Sequence, residues 1–258
     1  VRLGCGMDGG WHSTCRAGLL AMTLEGYGDP RYLDRMQELA RYFIEDQGPG
    51  GTWDYNANVP ERFYAPVPKE QDTPFEIAGG RSLEKPELPD EPLRRVQPWG
   101  VNGDGDNSVS QFAVLGLWSA ARAGIPIEDE VWRRTLQGVL GRQNENDKTW
   151  FRGWGYRTGG SYGSMTGAGI CSAAIAMNQL DETIKPRNDP RIRGGLKWLL
   201  DHWKVNKNPE AGGDEEKWIY YYVYSLERVG QILGIDFIGD HEWYAEGAKF
   251  LVNQQRGD

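Results

Sequence analysis

The stretch Tyr32–Tyr55, YLDRMQELARYFIEDQGPGGTWDY, decides the fold. Leu33, Met36, Leu39, Ala40 and Phe43 recur at three- and four-residue spacing, which predicts a helix with one apolar face. Gln47, a glycine-rich turn and Trp53 follow at once. Just upstream, TCRAGLLAMTLEGYGDP (14–30) sets Ala17, Leu20, Ala21 and Leu24 at the same spacing and breaks between Gly26 and Pro30. With DGGW (8–11) before it, the segment reads as an αα-hairpin closed by Gln and Gly-x-Trp.

The pattern recurs along the chain. DNSVSQFAVLGLWSAARAGIP (106–126) and DEVWRRTLQGVLGRQ (129–143) predict a second hairpin with Pro126 at the break, followed by GWGY (153–156). A third runs through SYGSMTGAGICSAAIAMNQL (161–180), breaks around Pro186 to Pro190, and resumes in RIRGGLKWLLDHW (191–203), with Trp203 where Gln would stand. The fourth is EEKWIYYYVYSLERVGQILG (215–234) and HEWYAEGAKFLVNQQRGD (241–258). Hairpins repeated in this way bury the open face of each against the next, so the expected class is all-α, with residues 1–258 as one domain or a fragment of one. Residues 54–103 interrupt the series with eight of the fourteen prolines and many charges, which predicts a long non-helical insert.

Net charge is −8 with a pI near 5.1, and no Lys/Arg run exceeds a pair, which argues against a phosphate-tracking nucleic-acid groove. No apolar run approaches the roughly 18 residues of a membrane span, and no signal-peptide core is visible, so the expectation is a soluble protein without a transmembrane segment. Cys5, Cys15 and Cys171 form no CxxC pair, which reads as thiols. The 11 Trp and 12 Tyr exceed what a core alone requires and suit an apolar or cationic ligand. No nucleophile elbow, Walker loop or dinucleotide fingerprint is present, and no cofactor is expected.

Gln47 to Trp53, preceded by Tyr42 and Phe43, resembles the QW motif of squalene-hopene and oxidosqualene cyclases. Phe250 to Gln255 resembles its first half, and Gln143 with Gly153-Trp154-Gly155 is a looser copy. DNSVSQFAVLGLW, SMTGAGICS and YYYVYSLERVGQILG further resemble bacterial prenyltransferase/squalene-oxidase-repeat proteins. The resemblance covers the chain outside the insert and implies the α/α toroid, or part of it, that terpenoid cyclases share with protein prenyltransferase β-subunits. In that toroid the helix after each Gly-x-Trp belongs to an inner ring, with its start at the central cavity. The implied lining is His12 to Cys15, Asp104 to Gln111, Ser161 to Thr166 and Trp218 to Tyr222. Trp11, His12, Gln111, Tyr162, Met165, Trp218, Tyr221 and Tyr222 are the implied substrate contacts.

GDGDNSVSQFA (103–113) then resembles the Asp-x-Asp-Asp-Thr acid motif of the cyclases. Asp106 stands at the proton donor's position, with Asp104 and Asn107 as its assistants and Asn107 in place of an aspartate. A second carboxylate and an aromatic pocket raise an acid's pKa, while Trp and Tyr faces stabilise carbocations. The alternative is that Asp106, Asn107 or Ser108 only caps the helix. In the prenyltransferases the same region holds zinc, but Asp106 replaces the expected Cys and His12 lies in the remote segment, so no metal is expected. Gly4-Cys5-Gly6 lacks the Glu-Gln of thioester toroids. Three function classes follow: a cyclase-like protein handling a hydrophobic isoprenoid, a non-catalytic binding or scaffolding module contacting a neighbouring domain of the same protein, and a polysaccharide-active enzyme using carboxylates. Trp218, Tyr221 and Tyr222 fall on one helical side and serve either a ligand surface or the core.

Overall fold

The computed structural model describes residues 13–55, 88–96, 105–145 and 152–255. Among them lie eight α-helices and two short strands. They are α1 (Ser13–Tyr27), α2 (Leu33–Asp46), α3 (Asn107–Arg122), α4 (Asp129–Gly141), α5 (Gly163–Leu180), α6 (Pro190–Asp201), α7 (Ile219–Leu233) and α8 (Trp243–Gln254). The strands β1 (Phe237–Ile238) and β2 (His241–Glu242) pair antiparallel between α7 and α8. Every helix anticipated from periodicity is present. Trp11, His12, Asp104, Cys5 and most of the 54–103 insert lie outside the described residues.

The odd-numbered helices pack in chain order, α1 on α3, α3 on α5 and α5 on α7. The even-numbered helices lie against this row: α2 contacts α1 and α3, α4 and α6 contact α5, and α8 contacts α7. Composition explains the division. From Gly163 to Met177, α5 is buried on every side and built of small and apolar residues, as a helix flanked by neighbours all round must be. The even helices α2, α4 and α6 bury one face only and carry their charges on the other.

Helix starts follow local chemistry. Asp189 accepts hydrogen bonds from the backbone N–H groups of Arg191 and Ile192, with Pro190 opening α6. Asp106 caps α3 in the same way, accepting from Val109 N at 2.9 Å. Gly116 on α3 is required by proximity. A Cβ there would stand 2.6 Å from the Phe43 ring, so glycine lets α2 and α3 interlock.

The described part of the insert is docked rather than loose. Leu93 is buried in the core, donates its N–H to Pro126 O at 2.8 Å and accepts from Glu128 N at 3.0 Å. Arg95 Nη1 then donates to the carbonyls of Ile44, Glu45 and Gln47, closing the end of α2 where those oxygens have no intrahelical partner.

That helix end also holds Asp46, whose carboxyl burial pushes up to about 7, with Asp54 adding to the rise and Arg95 opposing it. A group with a raised folded pKa stabilises the fold fully below its unfolded pKa and loses that contribution as pH climbs through the folded value. Stability is therefore expected to fall by about 1–2 kcal/mol between pH 5 and pH 8, after allowing for partial solvent screening. Urea unfolding of wild type and Asp46→Asn at the two pH values checks this. The variant should show the smaller difference.

Candidate functional site

The site forms where two loop–helix junctions meet. In the first, Gln47 Nε2 donates to Gly51 O, to Val131 O on α4 and to Thr135 Oγ1 at 2.9–3.2 Å. Trp53 is fully buried, and its indole N–H donates to Phe43 O at 2.7 Å. Its backbone N–H donates to Ser110 Oγ, and its carbonyl accepts from Asp106 N at 2.9 Å.

The second junction uses the same bonds. Gln143 Nε2 donates to Arg152 O and to Arg191 O on α6, and the Trp154 indole donates to Val139 O at 2.8 Å. Trp154 N donates to Thr166 Oγ1, and Trp154 O accepts from Tyr162 N. Asp106 and Tyr162 thus hold equivalent places at the starts of α3 and α5. In the third hairpin, Trp203 Nε1 donates to Glu246 Oε2 on α8 and its ring stacks on His241, so a different side chain again ties one even helix to the next.

Asp106 enters this frame through Gly105, whose φ of +47° and approach to Trp53 O, 2.5 Å from an added Cβ, admit no side chain. Arg142 Nη1 donates to Gly105 O and pins the turn. The Asp106 side chain is buried. Its Oδ1 accepts from Ser108 Oγ at 2.6 Å and Val109 N at 2.9 Å, while Oδ2 has no hydrogen-bond partner. Since the Ser108 hydrogen goes to Asp106, the 3.1 Å contact between Ser108 Oγ and the Tyr55 hydroxyl has Tyr55 as donor. A chain Tyr55 to Ser108 to Asp106 results.

Tyr156 and Tyr162 complete the surroundings. The Tyr156 hydroxyl approaches both Tyr55 and the Asp106 carboxyl without closing a bond to Oδ2. Burial raises the Asp106 pKa above its ordinary 3.8. The bonds from Ser108 and Val109 and the approach of the Tyr156 hydroxyl oppose that shift, and the Asp54 charge reinforces it. Burial likewise raises Tyr55 and Tyr156, and pushes Tyr162 up to about 12, helped by the nearby Asp106 charge. At the rim, Arg157 Nη2 meets Asp54 Oδ1 at 2.8 Å and links the two loops.

The remaining sequence-derived residues fall in different places. Asn107, expected to assist the acid, turns away from it: Nδ2 donates to Gly155 O at 2.5 Å and the backbone N–H donates to Tyr156 O at 2.9 Å. It anchors the second loop, a task an aspartate could not perform because a carboxylate has no hydrogen to give a carbonyl. Gln111 is buried on α3 and accepts from the Tyr221 hydroxyl at 2.7 Å. Met165 packs in the core around α5 and α7.

Trp218, Tyr221 and Tyr222 are not brought to one surface. Trp218 is 48% exposed with Lys217 over its ring, Tyr222 is fully buried against α5, and Tyr221 faces α3. The reason is that Trp218 sits at the helix boundary while Tyr221 and Tyr222 point to opposite neighbours. Tyr55, Tyr156 and Asn208 carried no sequence signal strong enough to select them. Asn208 is buried, accepts from Ser164 N at 2.8 Å and donates to Ser164 Oγ, capping α5 from a distant loop.

Among the described residues no three His, Cys, Asp or Glu side chains gather into a metal site. No helix among them is long and apolar enough to cross a membrane. Cys171 is a buried thiol whose pKa burial raises. No protein-family model matches the chain, and no curated protein or solved structure matches it.

Proposed function

We propose that the chain is a cyclase-like arc of an α/α toroid that receives a hydrophobic isoprenoid beside α3, with Asp106 as the proton donor. The observation that carries this reading is the divided carboxyl of Asp106. Oδ1 is held by two donors, so the proton of the neutral acid resides on Oδ2, the oxygen left without a partner. Burial favours the neutral form, and the phenols of Tyr156 and Tyr162 lie near the carboxyl. In this reading the odd-numbered helices form the inner row. Donation from Oδ2 to an alkene leaves a carboxylate stabilised by Ser108, the Val109 N–H and the positive end of α3. The Tyr55–Ser108 chain ends on Oδ1, where it holds the carboxylate that remains after the proton has left Oδ2.

The test is incubation of wild type and Asp106→Asn with squalene and shorter polyprenyl substrates, with products separated by gas chromatography. Wild type is expected to form cyclised product and the variant to lose at least about a hundredfold in rate. Equal product from both removes Asp106 from the chemistry.

A second reading has its own support. Phe112 on α3 stacks on Tyr221 and Tyr224 of α7, with centroids 6.1 and 6.0 Å apart, and Tyr224 reaches Met22 on α1. Aromatic rings thus occupy space between the odd-numbered helices, as in a non-catalytic scaffold that presents its faces to other domains. Absence of both product and isoprenoid binding favours that role.

A further inference from the structure

We propose that a cavity at the C-terminal ends of α5 and α7 binds a free α-amino acid with an apolar side chain, at a site separate from Asp106. Helix α5 runs 18 residues from Gly163, so its last turn lies about 27 Å from the Tyr162 end that borders the acid. There the last turns of α5 and α7 and the loop leading to α6 surround an open cavity of about 430 Å³, the size of a small-molecule site.

Local bonds fix the wall that the loop contributes. Asp181 N donates to Met177 O at 3.0 Å and Ile184 N donates to Asp181 O at 3.1 Å, while Asp181 Oδ1 accepts from both the N–H and the hydroxyl of Thr183. Asn188 N then donates to Lys185 O at 2.9 Å across the buried Pro186. Few torsions are left for a ligand to order, which lowers the cost of binding.

Three kinds of surface meet around this space. Ile184, Ile232 and Leu233 supply apolar contact. Lys185 and Arg187 bring positive charge and Glu182 negative charge, and none of the three has an ion pair among the described residues. The final carbonyls of α5 and α7 have no intrahelical N–H to accept and add the negative ends of two helix dipoles. A ligand that suits all three surfaces carries an ammonium, a carboxylate and an apolar group close together. The ammonium meets Glu182 and the helix ends, the carboxylate meets Lys185 and Arg187, and the side chain rests on the apolar residues. A fatty acid would bring no donor to Glu182 and the carbonyls, and an alkylamine would leave both cations without a partner.

Chemical-shift mapping of the isotope-labelled whole chain tests this with three probes: leucine, 4-methylpentanoate, which lacks the ammonium, and 3-methylbutylamine, which lacks the carboxylate. Leucine is expected to shift the amides between Asn178 and Arg187 and those of Ile232 and Leu233 saturably, and each analogue to bind at least about tenfold more weakly. Glu182→Gln and Arg187→Gln, both at exposed positions, should each weaken leucine binding about fivefold and leave the rest of the spectrum unchanged. Leucine that leaves these amides unmoved, an analogue that binds as tightly as leucine, or charge variants that bind it undiminished overturns the proposal.

Discussion

Trp53→Ala is expected to lower the unfolding free energy by about 3–5 kcal/mol, among the largest effects of any single substitution in the chain. The indole is fully buried, and its removal empties the space between α2 and α3. It also removes the indole donor that Phe43 O accepts beside the Gln47 N–H at the end of α2. The backbone of the same residue holds Ser110 and Asp106, so any shift of this loop into the emptied space carries over to the start of α3. Urea unfolding measures the effect, and Trp218→Ala supplies the comparison. Trp218 is 48% exposed, so its truncation should change stability by only about 0.5 kcal/mol. Similar values for the two would show that the junction does not hold the helices together.

Asn107→Asp is expected to cost about 3 kcal/mol at neutral pH although it alters one atom. The buried amide donates to Gly155 O, and the substitution sets an oxygen against an oxygen. Protonation restores a donor. The introduced carboxyl therefore has a folded pKa above its unfolded value, and its stability deficit should shrink as pH falls toward the unfolded value and widen as pH rises. Thermal unfolding of both proteins at pH 4.5 and pH 7.5 gives the comparison. A constant difference at the two pH values would place Asn107 away from the Gly155 carbonyl.

The helices were legible in the sequence because each repeats apolar residues at helical spacing and most end beside a glycine, signals that lie within a dozen residues of one another. The cap at Asp106 was legible for the same reason. Asn107 was not, since its partner Gly155 lies 48 positions away and only the fold brings the two loops together. Tyr55 and Tyr156 likewise meet through two separate junctions. The docking of Leu93 and Arg95 was hidden by the prolines around them, which exclude a helix but say nothing about whether an extended segment finds core contacts. Trp218, Tyr221 and Tyr222 mislead in a different way. Helical spacing groups them on one side, but α7 begins at Ile219 and has α5 and α3 on different flanks, so one ring is left in solvent and the others are divided between neighbours.

The acid at the start of α3 joins the architecture to the proposed chemistry. The same carboxyl that caps the helix with Oδ1 leaves Oδ2 buried and without a partner, so capping and the proposed proton donation involve different atoms of one group. Isotope-edited infrared titration of the aspartate carboxyls, with Asp106→Asn to assign the band, measures this directly. The expected result is a carboxyl present only in wild type that stays protonated above the ordinary aspartate value of 3.8. A band for Asp106 that ionises at or below that value would contradict the account.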